Sequence, residues 1–276
     1  MEKIHSITGG GGLALHVREW GDPHHAPILL IHGWSQNHLC WRNQYYSFLA
    51  DDFRFIALDL RGHGMSDAPH EVENYTDGRL WADDIAAIIE TLGLVRPVLV
   101  GWSYGGTIIN DYVRIYGQSA ISGINYVGSL VTLTEETLTT FFGHGFLDNV
   151  ADTTASDLPT NIQAMKNILR ACFIKRIPRE DFLSALAFSV FVSPQVRGAL
   201  LARTIESDDV LSDMTVPVLV SQGTADILVL PSMAEHILRI CPTAEGSWYK
   251  GTGHAPFLED PKRFNEELAS FVRKIR

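Results

Sequence analysis

"PVLVGWSYGGTIINDYVRIYG", residues 97–117, decides how this chain is read. Its opening run, "PVLVGW" (97–102), is apolar without polar alternation, as in a parallel strand covered on both faces. From Thr107 the sequence turns helical, and between the two Ser103 is flanked by Gly101 and Gly105. A strand that reverses directly into a helix forces its apex residue into a strained conformation. Glycine two positions to either side leaves room for the neighbouring backbones. Ser103 is thereby expected at a helix N-terminus, where unpaired N–H groups and the helix dipole favour a developing anion. A serine there can also serve only as an N-cap. The strand before it and the helix after it favour the nucleophile.

Outward from this junction the apolar runs recur as "PILLI" (27–31), "FIALD" (55–59), "GINYV" (123–127) and "PVLVS" (217–221). Between them Trp81, Ile85, Ile88, Ile89 and Leu92 make one helical stripe, with Asp83, Asp84 and Glu90 assigned to its polar side. A closing helix starts with Asp260 as N-cap and Pro261 at the first helical position, and carries Phe264, Leu268, Phe271, Val272 and Ile275 on one face. Alternating strands and helices imply an α/β fold with a mostly parallel sheet and right-handed crossovers. "LALHVREW" (13–20), after the glycines 9–12, predicts an antiparallel hairpin at the sheet edge. Residues 131–206 break the rhythm: they show no short strand and read as successive helices rich in phenylalanine. The expected organisation is a core domain of residues 1–130 and 207–276 with a helical insertion at 131–206.

The composition limits the function. A chain of 276 residues that is 46% hydrophobic can bury a large core. Its 22 basic and 32 acidic residues leave a formal charge of −10, which repels phosphate backbones and anionic headgroups, so nucleic acid and membrane partners are not expected. Cys40, Cys172 and Cys241 are odd in number and lack CxxC spacing, which fits reduced thiols in a core. "MEKIHSITGGGG" (1–12) has no apolar signal core, and no window approaches the ~18 apolar residues of a span. The expectation is a soluble, cytoplasmic protein.

A serine hydroxyl needs a base and a carboxylate to hold that base. "VPVLVSQGTADILV" places Asp226 in a turn after a strand, and "WYKGTGHAPFLEDP" places His254 in a glycine-rich loop after the next, in the chain order Ser, Asp, His. Taken singly, Asp226 reads as a turn former and His254 as a solvated loop histidine. An oxyanion needs two N–H donors. The amide of Tyr104 is one candidate, and that of Trp34 in "HGW" (32–34) is the other, with His32 as a brace for that loop.

Five stretches, "HGW" (32–34), "DLRGHGMS" (59–66), "GWSYGG" (101–106), "GTAD" (223–226) and "GTGH" (251–254), resemble the α/β-hydrolase superfamily over nearly the whole chain. The resemblance implies a mostly parallel, eight-stranded sheet with helices on both faces and the insertion as a variable helical cap. It implies Ser103 as nucleophile, His254 as base, Asp226 as its orienting acid, and Asp59 to Gly64 as a structural turn. Serine at 103 sets the chain apart from the dehalogenases and epoxide hydrolases of this fold, which use aspartate, and from dienelactone hydrolases, which use cysteine. "GWSYGGTIINDYVRIYG" with "RFNEELASFV" (263–272) looks like the cofactor-free haloperoxidase and arylesterase branch. Perhydrolases of that branch commonly carry proline after the aromatic residue of the oxyanion loop, where this chain has Ser35.

The expected activity is hydrolysis of carboxylic esters or lactones, small to medium and largely uncharged, through an acyl-enzyme. The alternatives are haloperoxidase or perhydrolase chemistry, carbon–carbon cleavage or hydroxynitrile lysis with Lys166 or Lys175 near Ser103, and a ligand-binding receptor on the same fold. No cofactor and no metal is expected, since the histidines show no HExxH spacing. Phe141, Phe142, Phe146, Phe182 and Phe188 are candidates for the substrate pocket, although phenylalanines in helices commonly serve only the core. The oligomeric state is not specified by any of these features.

Overall fold

In the computed structural model, which describes residues 2–276, the strands are β1 (Lys3–Thr8), β2 (Ala14–Trp20), β3 (Ala26–Ile31), β4 (Phe53–Leu58), β5 (Val98–Trp102), β6 (Gly123–Val127), β7 (Thr132–Leu133), β8 (Ile205–Glu206), β9 (Val218–Gly223) and β10 (Ala244–Tyr249). Eight of them form one sheet in the order β1-β2-β4-β3-β5-β6-β9-β10. Only β2 runs against its neighbours, pairing antiparallel with β1 and β4, so the expected edge hairpin is present. All other pairings in this eight-stranded sheet are parallel.

The apolar runs build this sheet because both of its faces are covered. Alternate residues of a strand point to opposite faces. Leu29, Ile31 and Leu99 accordingly join one buried cluster, with Trp81, Ile85 and Ile88 from the Gly78–Thr91 helix and Ile108 and Ile109 from the Tyr104–Tyr116 helix. Ile28, Leu30, Val98 and Val100 join the other, with Trp41, Phe257 and the Phe264, Leu268 and Val272 stripe of the Pro261–Lys274 helix. Asp260 stands at the N-cap position of that last helix, but its side chain makes no capping bond.

One assignment from periodicity is wrong. Asp84 does not lie on a solvated face: it is fully buried and accepts two hydrogen bonds of 2.7 Å from the equally buried Arg61, plus one of 2.8 Å from the Gly10 amide. A buried carboxylate persists only where paired and hydrogen-bonded. Arg61 comes from the turn after β4, too far along the sequence for a helical pattern to reveal it.

Between β6 and β9 the main helices are Leu158–Ala171, Arg179–Phe191 and Pro194–Leu201. Asp157 and Ser193 cap the first and third, accepting from the amides of Thr160 and Val196. The segment does contain strand, contrary to expectation: β7 and β8 pair antiparallel close to its two ends, each too short to show a sequence period. Buried Arg197 donates to the carbonyls of Thr153, Ser189 and Val192 and to Asn161 Oδ1, tying these helices together. No single helix among the described residues is long and apolar enough to cross a membrane. Cys40, Cys172 and Cys241 are all buried with free thiols.

Candidate active site

Ser103 follows directly on β5 and occupies the N-cap position of the Tyr104–Tyr116 helix with φ 54° and ψ −118°. A side chain rarely adopts this backbone region, so its surroundings must hold it there. The flanking glycines show why the turn can be so tight. A Cβ on Gly101 would lie 2.7 Å from the carbonyl of Gly105, and one on Gly105 would lie 2.5 Å from the Ile31 oxygen. Ser103 makes no side-chain capping bond. Its hydroxyl has no hydrogen-bond partner among the described residues, and it faces a cavity that His254 also lines.

Asp226 and His254 come from the loops after β9 and β10. These loops are in close contact: the Thr224 amide donates to Tyr249 O at 3.0 Å, Ala225 to Thr252 O at 3.0 Å, and a Cβ on Gly223 would lie 2.0 Å from Gly253 O. His254 Nδ1 lies 2.7 Å from Asp226 Oδ2, and both side chains are buried. Asp226 Oδ1 accepts the amides of Leu228 at 2.8 Å and Val229 at 3.2 Å, while Gln222 Nε2 donates to Oδ2 at 3.2 Å. With Nδ1–H donated to the carboxylate, His254 Nε2 carries the lone pair. The His254 backbone is held on both sides, its amide donating to Cys172 O at 2.9 Å and its carbonyl accepting from Trp102 Nε1 at 2.9 Å.

The loop after β3 lies against Ser103, since a Cβ on Gly33 would stand 3.0 Å from the serine Cβ. Two buried histidines shape it. His32 Nδ1–H donates to Gly33 O at 2.8 Å while Nε2 accepts the Leu60 amide at 3.0 Å. His63 Nδ1–H donates to Arg61 O at 2.9 Å while Nε2 accepts the Ser35 amide at 3.2 Å. Burial pushes His32 down to about 3 and His63 down to about 4, so both are neutral braces at pH 7. Ser35 itself has φ 57°. The backbone N–H groups of Trp34 and Tyr104 have no acceptor among the described residues.

The cavity above Ser103 is lined mainly by apolar side chains: Leu130, Leu133, Phe142, Phe146, Met165, Ile168, Leu169, Leu228 and Val229. No Asp, Glu, Lys or Arg lines it. Of the pocket phenylalanines, Phe142 and Phe146 lie on this wall, and Phe188 lines a second cavity that shares Gln36, Trp102 and Leu169 with the first. Phe141 is instead a core residue whose ring lies 5.1 Å from that of His236 at a tilt of 58°, and Phe182 lines a surface groove. Neither Lys166 nor Lys175 lines the first cavity, and Lys175 borders the same surface groove as Phe182. The sequence reading missed Gln36, Ser189, Met165, Ile168, Leu169 and Cys172. Leu228 and Val229 were within reach, since they follow Asp226 directly.

Residues 28–267 match the model of the alpha/beta hydrolase family. A solved structure of a provisionally assigned aryl esterase from Burkholderia cenocepacia is similar, with 38% identity and a TM-score of 0.93 over 99% of both chains. So is the esterase RhEst1 from Rhodococcus sp. ECU1013, with 33% identity and a TM-score of 0.92 over 99% of both chains. The non-heme chloroperoxidase of Streptomyces lividans is 27% identical over 97% of this chain and 99% of its own. By the match to the family model and these likenesses, the chain belongs to the alpha/beta hydrolase family as an esterase-like member.

Proposed function

We propose that the protein hydrolyses carboxylic esters or lactones of small to medium, largely uncharged compounds through an acyl-enzyme. The reading rests on one observation: an unpartnered, strained serine shares an apolar cavity with a histidine whose far nitrogen is held by a buried carboxylate. The esterase relatives support the ester bond as the target. Ser103 Oγ attacks the substrate carbonyl carbon as its proton passes to His254 Nε2, and Asp226 stabilises the imidazolium that forms. The amides of Trp34 and Tyr104 hold the oxyanion of the tetrahedral intermediate. Collapse breaks the bond to the alcohol oxygen, which leaves with the proton from His254. Water then gives a proton to His254 and attacks the acyl carbon, releasing the acid and restoring Ser103. The helices between β6 and β9 act as a cap, supplying Met165, Ile168 and Leu169 as walls that exclude water.

A second reading, oxidation of halide through a peracid, draws on the chloroperoxidase relative. Proline after the aromatic residue of the oxyanion loop requires φ near −65°, which is incompatible with the 57° of Ser35, so hydrolysis ranks first. The test is a panel of p-nitrophenyl esters and lactones, with monochlorodimedone bromination in peroxide and acetate, on the wild type and Ser103→Ala. Turnover is expected to fall by about three to six orders of magnitude in the folded mutant. Undiminished esterase activity there would refute the assignment. A folded wild type without turnover or labelling by a fluorophosphonate would favour a ligand-binding receptor.

A further inference from the structure

Beneath the loop that carries Trp34 lies a cluster that the hydrolytic reading does not use. His16 projects from β2, His38 begins the turn His38–Trp41, and Asp59 follows β4. One ligand atom from each lies within 4.8 Å of the other two. His38 Nδ1–H donates to Asp59 Oδ1 at 2.7 Å, which leaves the lone pair on Nε2. Yet His38 Nε2 and His16 Nε2 are both buried without a hydrogen-bond partner among the described residues, and His38 is only 4% exposed. A buried polar atom left unpaired costs about 1–3 kcal/mol, so two such atoms in residues of one cluster call for a common partner.

Asp59 raises the same demand through charge. It is fully buried, accepts the amides of His38 and Met65 besides the imidazole, and among the described residues pairs with no lysine or arginine. The ring geometry is compatible with a metal ion that answers both needs. Two imidazoles on one tetrahedral ion, at metal–nitrogen distances of about 2.1 Å, hold their ring centres roughly 5 Å apart. The His16 and His38 centres are 5.3 Å apart with planes inclined by 48°. A carboxylate on the far nitrogen of a ligating histidine is also the arrangement that fixes such a ring and raises its basicity.

We infer that His16 and His38 bind one divalent first-row cation of the zinc type through their Nε2 atoms, with water completing its four-coordinate shell and Asp59 orienting His38 and supplying counter-charge. The nitrogen donors select Zn²⁺, Co²⁺ or Ni²⁺ over Mg²⁺ and Ca²⁺, which prefer oxygen. The ion joins β2 to the segment that continues the Trp34 loop, so it stiffens that loop from behind without touching substrate.

The test is Co²⁺ titration of the EDTA-treated, desalted protein, read by ligand-field absorption, with Zn²⁺ added in thermal unfolding. One Co²⁺ per chain in a tetrahedral spectrum, displaced by Zn²⁺, and a Tm raised by Zn²⁺ but not Mg²⁺, are the expected results. His16→Gln and His38→Gln should each weaken Co²⁺ binding by at least about 10-fold, whereas His24→Gln on the surface should not. If His38→Gln does not fold, His16→Gln decides alone, because its ring stands at a half-buried position. No Co²⁺ spectrum and no Tm shift would overturn the inference, as would binding that persists unchanged in His16→Gln.

Discussion

Ser103 keeps a left-handed backbone in a turn made possible by Gly33, Gly101 and Gly105, where an added Cβ would crowd the junction. At Gly105 the demand is strictest, since the added methyl of Gly105→Ala would sit 2.5 Å from the Ile31 carbonyl oxygen and 3.1 Å from that of His32. Both obstacles are backbone and cannot rotate away. Gly105→Ala is therefore expected to push the start of the helix off β3 and to cut kcat at least about 100-fold by misplacing Ser103, the proposed nucleophile. Steady-state kinetics with a Tm measurement checks this, and wild-type kcat in the mutant would show that the junction has slack. This demand was legible because glycine is the sequence signature of a missing Cβ. The same backbone state at Ser35 was not legible, since nothing in a serine announces φ 57°. It yields a second expectation. Ser35→Gly should keep or raise stability by relieving that strain, and Ser35→Pro should lower both Tm and esterase activity.

At the scale of elements, the Trp34 loop depends on histidines that must remain uncharged. Unfolded histidine titrates near about 6.5, whereas buried His32 and His63 are pushed down to about 3 and about 4. Below about pH 6.5 the unfolded chain binds more protons than the native one, so their contribution is intact at pH 7 and declines as the pH falls toward 4. The limiting loss is about 1.4 kcal/mol per pH unit for each histidine. Urea unfolding at pH 7, 6 and 5 should show this acid limb. His63→Gln, which can still accept from Ser35 and donate to Arg61, should flatten it by one histidine's share, and an unchanged slope would contradict the assignment. Helix faces were readable from apolar spacing at Trp81, Ile85 and Ile88, all fully buried. Asp84 was misread because its partner, Arg61, reaches it from another element.

For the whole molecule, the three loops that bring Ser103, Asp226 and His254 to one end of the sheet were legible, since they lie at the carboxyl ends of parallel strands. The cavity walls were not: which side of the Leu158–Ala171 helix looks inward depends on how it docks, and the docking is set by contacts such as those of Arg197. That helix contributes Leu169 to both cavities, making it part of the partition between the Ser103 chamber and the neighbouring one lined by Phe173 and Phe188. Gln36 belongs to the same partition, held by a 2.7 Å hydrogen bond from its Nε2 to Ser189 Oγ. Truncating Leu169 should open a passage between the chambers while leaving Ser103 and His254 in place. Leu169→Ala is thus expected to shift preference toward longer acyl groups, raising the hexanoate-to-acetate ratio of kcat/KM by about 3- to 10-fold, since each added methylene that finds apolar cover gains about 0.8 kcal/mol. The same truncation removes buried packing and should lower stability by about 2 kcal/mol or more. Kinetics on p-nitrophenyl acetate, butyrate and hexanoate, at a temperature where the variant is fully folded, separates the two effects. A uniform drop across all three esters would mean that Leu169 serves packing alone and that the second chamber takes no part of the substrate.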